Sequence, residues 1–174
     1  MKVLYRGRII EVGLDTFTLP DGRVLEGEKV HHPGGAAAVA VEEGKVCLIR
    51  QYRYAVGGWL WEIPAGKLEP GEPPLVTAQR ELDEEAGLQA GSWHPLGTIH
   101  PSPGVCDEAI HLFLARELTH LPRHPKPYEV MEVHWRPLEE ALSWAASGII
   151  SDAKTIIGLF RAARLMPSPG SGPG

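Results

Sequence analysis

Cysteine is scarce in this chain. Cys47 and Cys106 are the only two among 174 residues, too few for the disulfide framework of a small secreted domain. Cys47 sits in the apolar run Val46-Cys47-Leu48-Ile49 and reads as a buried small hydrophobe. Positive charge is not in excess either. The chain carries 17 Lys and Arg against 22 Asp and Glu, a formal net charge of −5, so it lacks the basic footprint that nucleic acid wants. No apolar run approaches the roughly 20 residues of a membrane span. The opening MKVLYRGRIIEVG has charges inside its apolar stretch and no small-residue cleavage site, so it is not a signal peptide, and a cytoplasmic protein is expected. The eight histidines show no HxH or HExxH spacing, which leaves no zinc-enzyme pattern. There is no internal repeat.

What is present suits one packed domain. The chain is 43% apolar, enough for a core. Short strand candidates at Val3–Tyr5, Ile9–Val12 and Thr16–Leu19, the turn Pro20-Asp21-Gly22 and a return at Arg23–Leu25 make a small β unit over residues 1–32. It has too few apolar residues to stand alone and is expected to pack on the main domain or on a second subunit. After Pro33-Gly34-Gly35, the run AAAVAV at 36–41 reads as a strand covered on both faces. Val46–Tyr54 and Trp59–Ile63 follow as strands, then a helix whose first turn holds Pro73 and Pro74 and whose C-cap is Gly87. Leu75, Ala78, Leu82 and Ala86 define its core stripe. Further strands are expected at Trp93–Ile99, Ala109–Ala115 and Val130–Trp135. A helix should run from Pro137 to about Ala146, and a last one, capped by Ser151-Asp152, to about Leu165. The domain would span residues 33–165, with a disordered tail at 166–174. Strands, helix, strands, helices make an α+β domain rather than a βαβ repeat.

The densest information lies in residues 66–88, GKLEPGEPPLVTAQRELDEEAGL. Six acids against two bases give this stretch −4 of the chain's −5. On a regular helix Glu81 and Glu85 are four residues and about 40° apart. They flank the core stripe, at the edge of a cleft. Carboxylates with oxygen-only chemistry suit Mg2+ or Mn2+. Read by composition alone, the same helix is a charged solvated face, and Arg80 with Glu84 a surface ion pair. Gly66 and Glu72 at fixed offsets favour a site.

The pattern Gly-x5-Glu-x7-Arg-Glu-Leu-x-Glu-Glu-x-Gly-Leu is matched at every defining position and resembles the box of the Nudix family. The resemblance implies an α/β/α sandwich with a mixed sheet, preceded here by the small antiparallel β unit. It also implies hydrolysis of a nucleoside diphosphate linked to another group, with Mg2+ as cofactor and Mn2+ or Zn2+ as substitutes. Carried over by position, Glu81 and Glu85 would be the main metal ligands, Glu84 a third, and the Ala65 carbonyl would complete the shell. Gly66, Glu72 and Arg80 would brace loop and helix. Arg50-Gln51-Tyr52-Arg53, Glu62-Ile63-Pro64-Ala65-Gly66 and Pro103, fifteen residues after Leu88, resemble the ADP-ribose pyrophosphatase branch. That branch implies cleavage of ADP-ribose to AMP and ribose 5-phosphate by a homodimer. The alternatives are another nucleotide sugar such as GDP-mannose, a dinucleotide, or a non-catalytic domain that senses a nucleotide sugar.

Substrate contacts implied by the resemblance are Arg53, Glu62, Ser102, Gly104 and Glu108. For Arg53 a structural ion pair stands beside the phosphate role; for Ser102 and Gly104, a simple turn. The catalytic carboxylates are Glu84, Glu85 and Glu129. Glu129 is the one acid in the loop THLPRHPKPYEV, and a water oriented by Glu84 or Glu85 is the rival arrangement. Trp59 and Trp61 share one strand face and read as core or dimer-interface residues.

Overall fold

A computed structural model describes residues 1–124 and 130–166. Its strands form two sheets. The first is antiparallel, in the order β1 (Lys2–Arg6), β2 (Glu11–Thr18), β3 (Val24–His31). The turn at Pro20-Asp21-Gly22 forms as expected: Gly22 has φ 84°, and its N–H donates to the Leu19 carbonyl at 2.9 Å. The sequence reading broke β2 between Val12 and Thr16, whereas the structure runs one strand through it. Gly13 permits this, because a Cβ there would lie 2.4 Å from the Lys2 carbonyl oxygen on β1. Leu4, Tyr5, Ile9, Val24 and Leu25 of this unit are exposed.

The second sheet has seven strands: β4 (Gly35–Glu42), β5 (Lys45–Arg53), β6 (Gly58–Glu62), β7 (Ala65–Lys67), β8 (Leu88–Ile99), β9 (Ile110–His120) and β10 (Met131–Pro137). The order is β10-β5-β4-β9-β8, with β6 paired to β5 and β7 to β4. The β4–β9 pair is parallel and the others antiparallel, so the sheet is mixed.

Period-two alternation sends the side chains of β4 to opposite faces. Ala37, Val39 and Val41 join Leu48, Ile63, Leu112 and Leu114 under the helices α2 (Leu138–Ser147) and α3 (Ala153–Ala163). Ala38 and Ala40 join Cys47, Leu82, Ala86, Leu88 and Ala115 on the other face, where α1 (Pro74–Glu81) lies. Coverage of both faces is why this strand reads as one unbroken apolar run. The result is the α/β/α sandwich with an added antiparallel sheet that the α+β reading described. Among the described residues no helix is long and apolar enough to cross a membrane.

Helix boundaries follow local chemistry. Pro74 opens α1, where its missing N–H costs nothing. Gly148, at φ 83°, ends α2. The Asp152 carboxylate caps α3 by accepting the Thr155 N–H at 3.0 Å.

Candidate active site

The site begins where β7 meets α1. The sequence reading left Ala65 and Gly66 in a loop, but they form a short strand on β4, Gly66 opposite Ala36 and Ala65 opposite Ala37. Residues 82–86 depart from the regular helix as well. They make a π turn from Leu82 to Ala86, closed by Gly87 at φ 66°. Packing gives the reason. The buried positions are Thr77 and Ala78, Glu81 and Leu82, then Glu85 and Ala86, pairs repeating every four residues. A helix of 3.6 residues per turn drifts off such a repeat, and one widened turn restores the register. Leu75, read as part of the core stripe, is exposed instead.

This register puts two carboxylates inside the protein rather than at a rim. Glu81 and Glu85 are 2% and 3% exposed. The Glu85 Oε2 accepts the Ala65 N–H at 2.9 Å. The Glu81 carboxyl lies against the Cα of Gly66, so closely that a Cβ at residue 66 would be 2.0 Å from Glu81 Oε1. Buried charges need partners, and Arg80 supplies one. Its Nη1 donates to Glu81 Oε1 at 2.5 Å and stands 3.7 Å from Glu84 Oε1. Its Nε and Nη2 grip the two Glu72 oxygens at 3.0 Å each, and Nη2 also reaches the Lys67 carbonyl at 3.3 Å. One guanidinium thus ties the entry loop to the helix.

Glu72 further accepts from the Thr77 hydroxyl at 2.6 Å. The hydrogen bonds from Arg80, then that from Thr77, pull its pKa down from 4.5 to about 2. A carboxyl with a depressed folded pKa stabilises the fold above its unfolded pKa and loses that stabilisation as pH falls through the folded one. Glu72→Gln should therefore lower Tm by roughly 4 °C at pH 7. The gap from wild type should close between pH 4.5 and about 2, which melts across that range would record.

Beside β7 opens a cleft lined by His32, Gly34, Arg53, Gly66, Lys67, Glu108 and Lys154, among others. Arg53 places Nε and Nη2 on the two Glu62 oxygens, each at 2.7 Å. The Lys154 Nζ holds Glu62 Oε2 at 2.5 Å and Asp152 Oδ1 at 3.0 Å. Burial would raise the pKa of Glu62, but the Arg53 hydrogen bonds and the Lys154 charge outweigh it and leave the pKa below the usual value. The Glu62 hydrogen bonds raise that of Arg53. Glu62 itself is buried.

The other candidates fall in two places. Glu108 lines the cleft, its Oε1 3.4 Å from His32 Nδ1. That nitrogen accepts the Gly34 N–H at 3.0 Å, so it does not also donate to Glu108. Ser102 accepts through its carbonyl from Val105 and Cys106 in a turn. Gly104 lies in a separate hollow with Phe17 and Leu25 of the first sheet. Asp107 ties this loop to the end of β3. It accepts from His31 Nδ1 and the His32 N–H, each at 2.9 Å, and from Lys29 at 3.0 Å. Burial would raise its pKa, but these partners hold it well below the carboxylate range. Glu129 lies outside the described residues. Trp59 is exposed, near Arg50 and Tyr52, while Trp61 packs on Trp144.

Sequence reasoning missed Lys154, Lys67 and His32. Lys154 lies two residues after the N-cap aspartate, in the run Ser151-Asp152-Ala153-Lys154-Thr155, which reads as a helix start and resembles the last helix of the ADP-ribose pyrophosphatase branch but carries no site role in that reading. Ninety-two residues separate it from Glu62, and no local pattern spans that distance.

The donor set fits a hard divalent cation: buried carboxylate oxygens facing a strand backbone, with neither thiolate nor imidazole among them. The bare Cα of Gly66 leaves room for the Glu81 carboxyl, which a side chain would fill. Among the described residues no three His, Cys, Asp or Glu side chains converge into a ready coordination sphere, and Glu81 is drawn onto Arg80.

Comparison with known proteins places these elements. Residues 30–156 match the model of the NUDIX domain. The chain is 41% identical over 155 residues to the ADP-ribose pyrophosphatase of Bacillus subtilis (strain 168), covering 87% of this chain and 84% of that one. It is 38% identical over 157 residues to the methanol dehydrogenase activator of Bacillus methanolicus, covering 88% and 85%. Among solved structures, an ADP compounds hydrolase superposes with a TM-score of 0.80 at 19% identity, covering 94% of this chain and 90% of that one; at that identity the likeness concerns the fold.

Proposed function

The chain belongs to the Nudix family, and on that footing we propose that it hydrolyses the diphosphate of ADP-ribose, giving AMP and ribose 5-phosphate. The observation that carries this reading is the buried pair Glu81 and Glu85 set against the Ala65–Gly66 strand, whose residues line a cleft together with Arg53, Lys67 and Lys154. The substrate class is supported by the 41% identical relative named for that activity.

A diphosphate bridge is multiply anionic, so its cleavage requires charge neutralisation and a water placed in line with the leaving oxygen. Glu81 and Glu85, with Glu84 and the Ala65 carbonyl, would hold Mg2+, or Mn2+ or Zn2+ in its place. A divalent cation held there supplies neutralising charge and makes water acidic enough to attack at neutral pH. The chain's own residues do the rest. Arg80 fixes Glu81 and the entry loop through Glu72. Glu62 orients Arg53 at the cleft, where a guanidinium edge meets phosphate oxygens. Lys67 lines the same cleft. Glu84 or Glu85 orients the attacking water, or Glu129 takes its proton. Glu108 stands where a ribose hydroxyl would meet it, and Ser102 and Gly104 shape the neighbouring loop. We assign the exposed first sheet, residues 1–32, to a homodimer interface, and the reaction to the cytoplasm, where both free cysteines stay reduced.

The relative named as an activator of a dehydrogenase favours a second reading, in which the same nucleotide-sugar site serves regulation of a partner. A panel of ADP-ribose, GDP-mannose and dinucleotides with Mg2+ separates the possibilities. Equimolar AMP and ribose 5-phosphate, with ADP-ribose giving the highest kcat/KM, is expected, from a species that sediments as two chains. Preference for GDP-mannose would move the substrate. Hydrolysis of nothing in the panel would leave the regulatory reading.

A further inference from the structure

Lys154 lines the cleft beside Arg53. It reaches the cleft from the first turn of α3, and its side chain is 11% exposed. An ammonium group has three N–H donors. Two are spent, on Glu62 Oε2 at 2.5 Å and on Asp152 Oδ1 at 3.0 Å, and no further partner for it exists among the described residues. Arg53 is in a similar state. Its Nε and Nη2 are committed to Glu62, while Nη1 makes no hydrogen bond among the described residues. Glu62 therefore stands between two cations, each with donor capacity left over, and both line the same cleft.

Charge points the same way. Arg53 and Glu62 alone would cancel, leaving that wall of the cleft neutral. Lys154 adds one positive charge. The Asp152 carboxylate pairs with Lys154 through Oδ1, while its Oδ2 takes the Thr155 N–H at 3.0 Å and the Thr155 hydroxyl at 2.6 Å; the positive end of the α3 dipole, about half a charge, offsets part of its negative charge and leaves the cluster partly positive. The Thr155 hydroxyl oxygen in turn accepts the Ile63 N–H at 2.9 Å, so α3 and the strand end that carries Glu62 are one rigid piece.

We propose that Lys154 is a second anion ligand of the cleft, donating its remaining N–H to a phosphate oxygen of the bound diphosphate beside Arg53, with Glu62 as the common anchor that spaces the two cations. The assignment rests on the reading of the cleft as a diphosphate site. A lysine in this role acts as a point charge whose donors turn to meet the ligand, which suits an oxygen array that shifts during cleavage.

The test uses the full chain with Mg2+. Steady-state kinetics on ADP-ribose are combined with calorimetric titration by α,β-methylene ADP-ribose, for wild type, K154Q, K154R, R53Q and the R53Q/K154Q double variant. K154Q should raise KM about ten-fold and weaken analogue binding by a similar factor, with kcat within about two-fold. K154R should restore most of the loss. K154Q should also weaken binding when Arg53 is already replaced, because a direct ligand does not act through its neighbour. If the K154Q effect vanishes in the R53Q background, Lys154 only braces Glu62 and the proposal fails. Unchanged KM and affinity in K154Q, with an active wild type, overturn the Lys154 assignment alone. A wild type that hydrolyses no ADP-ribose overturns the reading of the cleft together with it.

Discussion

Glu85→Gln and Glu81→Gln should each lower turnover of ADP-ribose by about 10³-fold while the protein stays folded. The size follows from what a divalent cation supplies at such a site, several kcal/mol of charge stabilisation, at about 1.4 kcal/mol per factor of ten. The intact fold follows from the hydrogen bonds. Glu85 accepts the Ala65 N–H, and Glu81 accepts from Arg80. An amide oxygen still accepts both bonds, more weakly than a carboxylate does from Arg80, and glutamine has nearly the shape of glutamate. What the substitution removes is negative charge at two positions that are 2% and 3% exposed. The measurements are kcat with saturating Mg2+ and a thermal melt of each variant. Near-wild-type turnover in both would remove the metal-site assignment. A collapse of Tm would show instead that the two acids are structural.

Gly66→Ala should lose activity to an extent close to Glu81→Gln, for a steric reason alone. Gly66 does not occupy the left-handed region, unlike Gly22, Gly34 or Gly87, so alanine fits the backbone. The added Cβ would lie 2.0 Å from Glu81 Oε1, 2.1 Å from Cδ and 2.5 Å from Cγ. Nothing survives such contacts, and the strand has little freedom to retreat, since β7 is hydrogen-bonded to β4. The flexible partner is the carboxyl, which must leave its place. Stability should fall by about 1 to 3 kcal/mol, as for overpacking elsewhere, a Tm shift of several degrees. Kinetics of Gly66→Ala beside Glu81→Gln decide the matter. Wild-type turnover in the alanine variant would mean that the carboxyl does its work somewhere other than against this strand.

The sequence made the architecture legible where a pattern is local. AAAVAV announced a strand covered on both faces because each alternate residue has a core to enter. Gly87, Gly148 and Asp152 announced helix ends because φ > 0 and an orphan N–H are requirements of single residues. The box marked Glu81 and Glu85 by spacing. Their depth was not legible. A regular helix puts them at a rim; in the structure Glu81 is buried at the end of α1 and Glu85 within the π turn that follows, a response to packing against the sheet that no periodicity within the helix encodes. Ala65 and Gly66 read as a loop because three residues carry too little pattern for a strand; pairing with β4 makes them one. The Arg53–Glu62–Lys154 cluster was half visible. Arg53 and Glu62 stood out through their motif, but Lys154 arrives from the far end of the chain, brought there by α3 packing over the sheet.

The most direct test of the central claim is a crystal of the full chain soaked with Mn2+ and α,β-methylene ADP-ribose, with anomalous differences recorded near the manganese edge. The account predicts an anomalous peak between the Glu81 and Glu85 carboxyls and the Ala65–Gly66 strand, adjoining the diphosphate of the analogue. Density for the analogue in the cleft with no peak at that place would contradict it.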